Sequence, residues 1–276
     1  MQKGRVYRST GSWYDVKLNS GDFIKARIGG KFRTLSIKTT NPIAVGDEVE
    51  VSVNSQNEAV IKTISKRENY IIRKSVNLSK EAHIIASNID LAVLLVTISN
   101  PVTSAGFIDR FTVTAEAYNV PLLIVFNKMD IYDAAAMLQL EEYEKAYKIA
   151  GYKTLRTSVK EDTGINEFMD LIKGKTVLVS GNSGAGKSTL INKLIPNLEL
   201  KTSEISNSHQ TGKHTTTFAE MFDMNNTTKI IDTPGIKGFG LVDFEKDELS
   251  RYFPEMLDLL EDCKFHNCRH INEPGC

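Results

Sequence analysis

Gly181-Asn182-Ser183-Gly184-Ala185-Gly186-Lys187-Ser188 reads GxxxxGKS, a spacing whose chemistry is phosphate binding. Glycines let backbone N–H groups close around phosphate oxygens, and a helix beginning at the end of the loop adds a favourable dipole. The flanks fit, since the strand-like TVLVS precedes the loop and the helix-like STLINKLI follows it. In that setting Lys187 bridges the β- and γ-phosphates of a nucleoside triphosphate. The Ser188 hydroxyl ligates Mg²⁺, with Thr189 beside it at the helix start.

A second constellation selects the base. Asn127-Lys128-Met129-Asp130 follows the apolar run PLLIVF. One carboxylate there can accept from both N1–H and the 2-amino group of guanine, a donor pair that adenine lacks. Thr157-Ser158-Val159-Lys160 follows a further strand pattern and backs the base through Ser158, Val159 and their backbone. Asp232-Thr233-Pro234-Gly235 ends the strand pattern TKII, where Asp232 can hold Mg²⁺ and the Gly235 N–H can sense a γ-phosphate. Between this motif and the phosphate loop lies Gly212-Lys213-His214-Thr215-Thr216-Thr217, in which Thr216 (or Thr215) is the remaining hydroxyl ligand for Mg²⁺. Ile236 stands where many GTPases place a water-orienting glutamine, so His214 or a partner must supply that polar group. The order is also permuted. The base-reading motifs precede the phosphate loop, whereas ordinary small GTPases run the other way, and cutting the ring elsewhere preserves the site when the original termini lie close.

A third group is chemically separate. Cys263-x4-Cys268-x-His270-x5-Cys276 supplies three thiolates and an imidazole, the donor set of a closed structural zinc site, with His266 as a competing ligand. All three cysteines fall in the last fourteen residues. An odd, clustered count in a chain without an export signal favours metal over disulfides.

The elements that position these groups follow from the patterning. Residues 1–64 alternate apolar and polar positions (KGRVYRS, WYDVKLN, FIKARI, KFRTLSI, DEVEVSV, EAVIKTI) with turns between them, as in a small OB-type β-barrel. A hairpin at Gly29-Gly30 would put Lys25/Arg27 and Lys31/Arg33 on opposite faces, so a continuous basic stripe is not established. Trp13 and Tyr14 can stack on bases, though packing is the stronger reading. Residues 65–82 read as a polar, basic connector. Beyond it, apolar runs (LAVLLVTI, PLLIVF, TVLVS, TKIID) alternate with amphipathic stretches such as DAAAMLQLEEYEKAYKIA, the signature of a mainly parallel α/β sheet. A helical stretch, KDELSRYFPEMLDLLED, leads to the cysteines, and Pro254 either breaks it or starts its second helix.

The expected division is therefore 1–70 barrel, 71–242 circularly permuted P-loop GTPase domain and 243–276 C-terminal helical zinc-binding unit. The net charge of zero conceals an asymmetry: residues 1–75 carry 14 Lys/Arg against 7 Asp/Glu. A basic first domain points to a phosphate-rich partner such as nucleic acid. The longest apolar run, Leu91–Ile98, is far short of a membrane span, and the N-terminus lacks the apolar core of a signal peptide, so a cytoplasmic chain is expected.

NKMD, TSVK, GNSGAGKST, GKHTTT, DTPG, RYFPEM and CKFHNCRHINEPGC, in that order behind a basic β-rich domain, resemble the circularly permuted ribosome-small-subunit-dependent GTPase A (RsgA) family of bacteria. The resemblance spans nearly the whole chain. It implies a GTPase stimulated by the 30S subunit and acting in its late maturation, with rRNA contacts from the barrel and the zinc unit. It also implies that His214 is the catalytic histidine, that GTP, Mg²⁺ and one structural Zn²⁺ are bound, and that the chain works as a monomer away from membranes. Such chains usually continue as a helical tail beyond the last cysteine, whereas this sequence stops at Cys276. Two alternatives stay open at this stage. One is an RNA-binding adaptor whose fold is merely propped by nucleotide, and the other is a permuted GTPase with another client.

Overall fold

Strict alternation builds the first unit. In β2 (Tyr14–Leu18) the side chains of Tyr14, Val16 and Leu18 are buried while those between are half-exposed. With β1 (Gln2–Ser9), β3 (Phe23–Ile28), β4 (Glu48–Val53) and β5 (Ala59–Ile64) it forms an OB-like barrel in the order β1-β2-β3-β5-β4, closed by pairing of β4 with β1. The barrel core gathers Val6, Tyr14, Val16, Ala26, Ile43, Val51 and Ile61. This computed structural model describes the chain except residues 30–40, 55–57, 75–81, 201–217, 234–240, 242–243 and 246. The expected strand KFRTLSI and the cations Lys31 and Arg33 therefore lie outside the described residues. Lys25 and Arg27 are both exposed on β3. Of the aromatic pair, Tyr14 belongs to the core, whereas Trp13 is 47% exposed with the Arg27 guanidinium 5.8 Å from its ring centroid.

Part of the presumed connector is structured. β6 (Tyr70–Lys74) pairs antiparallel with β7 (Ala82–Ser87). Ile71 faces the main core, and Ile72 packs with Ala44 and Ile84. Two isoleucines among charges are too short a pattern to read as a strand, but pairing with β7 gives each a buried face. Asp47, fully buried, ties the barrel to this hairpin. It receives a bidentate pair from Arg67 at 2.7 and 2.6 Å, the Ser87 hydroxyl at 2.6 Å and the Ala44 N–H at 2.8 Å.

Beyond the barrel the same hydrogen-bonded sheet continues from β1 into a second part that runs β10-β9-β8-β11-β13-β12. Its parallel strands are β8 (Leu91–Val96), β9 (Leu122–Phe126), β10 (Lys153–Arg156), β11 (Thr176–Gly181) and β13 (Lys229–Asp232), while β12 (Glu220–Asp223) is antiparallel. Both faces are covered, so the strands read as continuous apolar runs. Ala92, Leu94 and Val96 pack with Phe107 and Phe111 of α1 (Ala105–Ala117) and Leu140 of α2 (Ala134–Ile149). The alternate residues Val93 and Leu95 pack with Phe168 of α3 (Ile165–Ile172) and Leu190 of α4 (Lys187–Leu194). Asp133 caps α2 through the Ala136 N–H at 2.8 Å.

β12 welds the two units together. It pairs with β13 on one side and with β1 on the other, where Arg8 faces Glu220. Asp223, on β12, accepts from Tyr7 Oη at 2.7 Å and pairs with Lys17 of β2. Downstream, a 3₁₀ turn at Leu249–Tyr252, α5 (Pro254–Asp258) and a further 3₁₀ turn at Leu259–Asp262 replace the expected helical stretch. Pro254 opens α5. Among the described residues no helix is long and apolar enough to cross a membrane.

Candidate functional site

The sheet order places the carboxyl ends of β10, β9, β8, β11 and β13 side by side, so loops distant in sequence converge at one end of the sheet. β11 is wholly buried and ends at Gly181, and α4 begins at Lys187. The intervening turn depends on glycine. Gly186 has φ +101°, and a Cβ there would sit 2.4 Å from Asn127 Nδ2. That close approach is the junction of two motifs. Asn127, 2% exposed, donates from Nδ2 to the Ala185 carbonyl at 2.9 Å and accepts the Thr157 hydroxyl on Oδ1 at 3.0 Å. The NKMD turn, the TSVK segment and the phosphate loop thus share one buried asparagine.

Around it, Asp130 Oδ1 accepts the Ser158 hydroxyl at 2.7 Å, and Lys160 Nζ lies 3.9 Å from Oδ2. Val159 is buried behind them. Lys128 takes a left-handed backbone at φ 69°, and its Nζ donates to the Asn100 carbonyl at 2.8 Å. Burial lowers the pKa of the Lys128 ammonium, which Asp130 partly offsets.

On the phosphate side, Lys187 is 7% exposed and donates to the carbonyls of Gly181 at 2.8 Å and Asn182 at 2.9 Å. Desolvation pushes its pKa down to about 8, against a raising contribution from Asp232. Asp232, at the end of β13, is 2% exposed, and its carboxyl is pushed up to about 6, first by desolvation and then by Glu220, with Lys187 opposing. Its Oδ1 is buried without a hydrogen-bond partner. A buried carboxylate oxygen without a partner at this strand end fits a Mg²⁺ ligand set. Ser183 and Gly184 are half-buried in the loop, as is Ser188 at the start of α4, and Thr189 is exposed. Thr233 is fixed by a hydroxyl bond to the Val179 carbonyl at 2.9 Å. Gly235, Ile236, His214, Thr215 and Thr216 lie outside the described residues.

The cysteine cluster is assembled. Sγ of Cys263, Cys268 and Cys276 lie 3.7, 4.0 and 3.6 Å from Nδ1 of His270, and all four ligand atoms fall within 4.8 Å of one another. With Zn–S near 2.3 Å and Zn–N near 2.05 Å, tetrahedral geometry requires S···N separations of about 3.6 Å. The donor set and its spacing fit zinc, and His266 is not part of the cluster.

Three contacts come from outside the motifs. The Tyr132 hydroxyl bridges the Ile98 N–H and the Asn127 carbonyl, the Asn100 carbonyl holds Lys128, and Thr103 Oγ1 lies 3.5 Å from Asn182 Nδ2. A tyrosine two residues past NKMD and the turn signal Asn100-Pro101 directly after β8 were the available signals.

The family model described as RsgA GTPase matches residues 64–242, and one described as RsgA N-terminal domain matches residues 3–61. The chain belongs to the RsgA GTPase family. It is accordingly a GTP hydrolase. It is 54% identical to the small ribosomal subunit biogenesis GTPase RsgA of Christiangramia forsetii over 99% of this chain and 88% of that one. With RsgA 2 of Bacteroides thetaiotaomicron it shares 50% identity over the same proportions. Among solved structures it is similar to YjeQ from Thermotoga maritima, with a TM-score of 0.76 and 32% identity over 100% of this chain and 88% of that one. It also resembles YloQ, a circularly permuted GTPase, with a TM-score of 0.71 and 26% identity over 100% of this chain and 86% of that one.

Proposed function

We propose that this RsgA-family chain docks on the 30S ribosomal subunit, hydrolyses GTP to GDP and phosphate when docked, and acts in the late maturation of that subunit. Its close relatives are named as small ribosomal subunit biogenesis GTPases. The observation that carries the reading is the Asn127–Ala185 hydrogen bond, which supports one guanine-nucleotide pocket built from segments 58 residues apart.

In this reading Asp130 accepts from the guanine edge, and the Ser158 hydroxyl and Val159 back it. The Lys128 stem lines the base, and Asn127 sets its distance from the phosphate loop. The backbone of residues 181–186 wraps the phosphates. Lys187 exchanges its two carbonyl partners for the β- and γ-phosphate oxygens, which replace weak neutral acceptors by charged ones. Ser188 and Asp232, with Thr216 or Thr215, hold Mg²⁺, which when bound neutralises charge developing on the phosphates. The Gly235 N–H senses the γ-phosphate. His214 or a group from the subunit orients the attacking water, since Ile236 cannot. The division is 1–70, 71–242 and 243–276, with rRNA gripped by the basic barrel and by a zinc unit held through Cys263, Cys268, His270 and Cys276. The protein acts as a cytoplasmic monomer.

The test is GTP turnover with purified 30S subunits, with 50S subunits and with neither. Stimulation confined to 30S supports the proposal, and equal rates in all three overturn it.

A further inference from the structure

Lys128 and Asn182 directly, and Asn127 through Tyr132, are held by a segment that none of the nucleotide motifs includes. Directly after β8 the chain folds on itself. The Thr103 N–H donates to the Thr97 carbonyl at 2.8 Å, the Thr97 N–H to Thr103 Oγ1 at 3.2 Å, and the Thr97 hydroxyl to the Pro101 carbonyl at 2.5 Å. Both threonines are buried, at 0% and 1% exposure. This closed turn reaches the base motif twice. The Asn100 carbonyl accepts the Lys128 ammonium at 2.8 Å. The Ile98 N–H donates at 2.9 Å to the Tyr132 hydroxyl, which itself donates to the Asn127 carbonyl at 2.5 Å. It reaches the phosphate loop once, from Thr103 Oγ1 to Asn182 Nδ2 at 3.5 Å. The Tyr132 hydroxyl is thus used as donor and acceptor at once.

We propose that residues 97–103 form a further wall of the nucleotide site and that Tyr132 is a positioning residue for guanine selectivity. The inference rests on the assignment of Asp130 as the reader of the base. Tyr132 clamps the carbonyl that opens the 127–130 turn, so it sets where the Asp130 carboxylate stands relative to β8 and the phosphate loop. Guanine needs both carboxylate oxygens aligned on its N1–H and 2-amino group, whereas adenine uses neither. Loosening this clamp therefore penalises guanine selectively. Thr103 instead steadies Asn182, on the phosphate side, which guanine and adenine nucleotides share.

The full chain is titrated with fluorescent GDP, displaced by unlabelled GDP or ADP, for wild type, Tyr132→Phe and Thr103→Val. Wild type should prefer GDP by at least a hundredfold. Equal affinities there would refute the Asp130 assignment itself, before any variant is considered. Given a selective wild type, Tyr132→Phe keeps the ring but leaves the Asn127 carbonyl and the Ile98 N–H without their partner. GDP binding should weaken about tenfold and ADP binding by less than twofold. Thr103→Val should weaken both nucleotides in step. A GDP:ADP ratio unchanged in Tyr132→Phe, whether the two affinities fall together or not at all, overturns the proposal, because a merely structural role moves both alike. Should Tyr132→Phe fail to fold, amide exchange at Ile98 in the wild type decides. Exchange should slow more at saturating GDP than at saturating ADP, and equal exchange would overturn the assignment.

Discussion

Replacing Gly186 by alanine strikes the junction of the two halves of the site with one methyl group. Its φ of +101° is a backbone conformation that costs an L-residue about 1–2 kcal/mol. The added Cβ would lie 2.4 Å from Asn127 Nδ2, so the amide must turn away from the Ala185 carbonyl it now meets at 2.9 Å. Leaving that buried pair unmade costs about 1–3 kcal/mol. The free protein can relax the loop and escape part of the strain, whereas bound phosphates demand the tight turn, so the cost falls on binding. A sum of about 2–5 kcal/mol is the upper bound on the binding cost, so the loss of GDP affinity is at most roughly thirtyfold to a few thousandfold and scales with the part relieved in the free state. The assay is a titration with fluorescent GDP, with circular dichroism to confirm folding. Gly151→Ala is the control, because φ there is +89° but nothing lies within 4 Å. It should lower the melting temperature by a few degrees and leave GDP affinity unchanged. A Gly186→Ala chain that folds and binds GDP within threefold of wild type would refute the reasoning.

Three further outcomes follow from the geometry. Arg67→Ala strands the fully buried Asp47 carboxylate and should cost about 3–5 kcal/mol in denaturant unfolding, and a loss below about 1 kcal/mol would contradict the burial argument. GDP should prefer the charged Lys187. Because desolvation sets the free group at about 8, affinity should be level below that pH and fall about tenfold per unit above it, a slope that Lys187→Arg removes; equal slopes in both proteins would count against it. Purified chain should carry one zinc, measured by elemental analysis, and Cys268→Ala should lose it while GDP affinity stays at the wild-type value.

The chemistry was legible where it is written in contiguous residues. GNSGAGKS and NKMD each announce their proposed roles in a few positions, and the structure joins them through Asn127 and Ala185, while the alternation in YDVKL or LAVLLV dictates which faces are buried. The wall at 97–103 was only hinted at, by the Asn100-Pro101 turn and a tyrosine two residues past NKMD, because its contacts are single hydrogen bonds through Thr103, Tyr132 and a backbone carbonyl. The β6–β7 hairpin escaped because YIIRK gains its burial from a partner strand beyond it. The weld between barrel and sheet was hidden for the same reason: the four residues of β12 show no pattern of their own, yet β12 pairs on both edges and offers Asp223 to Tyr7 and Lys17.

The proposed function depends most on Asp130 reading guanine in the pocket where Lys187 would hold phosphate. Steady-state hydrolysis of GTP and of xanthosine triphosphate by wild type and Asp130→Asn, with 30S subunits present, tests it. Xanthine replaces the 2-amino donor by an acceptor, which an asparagine amide can meet and a carboxylate cannot. Wild type should favour GTP and Asp130→Asn should favour xanthosine triphosphate, each by at least a hundredfold. A variant that keeps its preference for GTP would contradict the account.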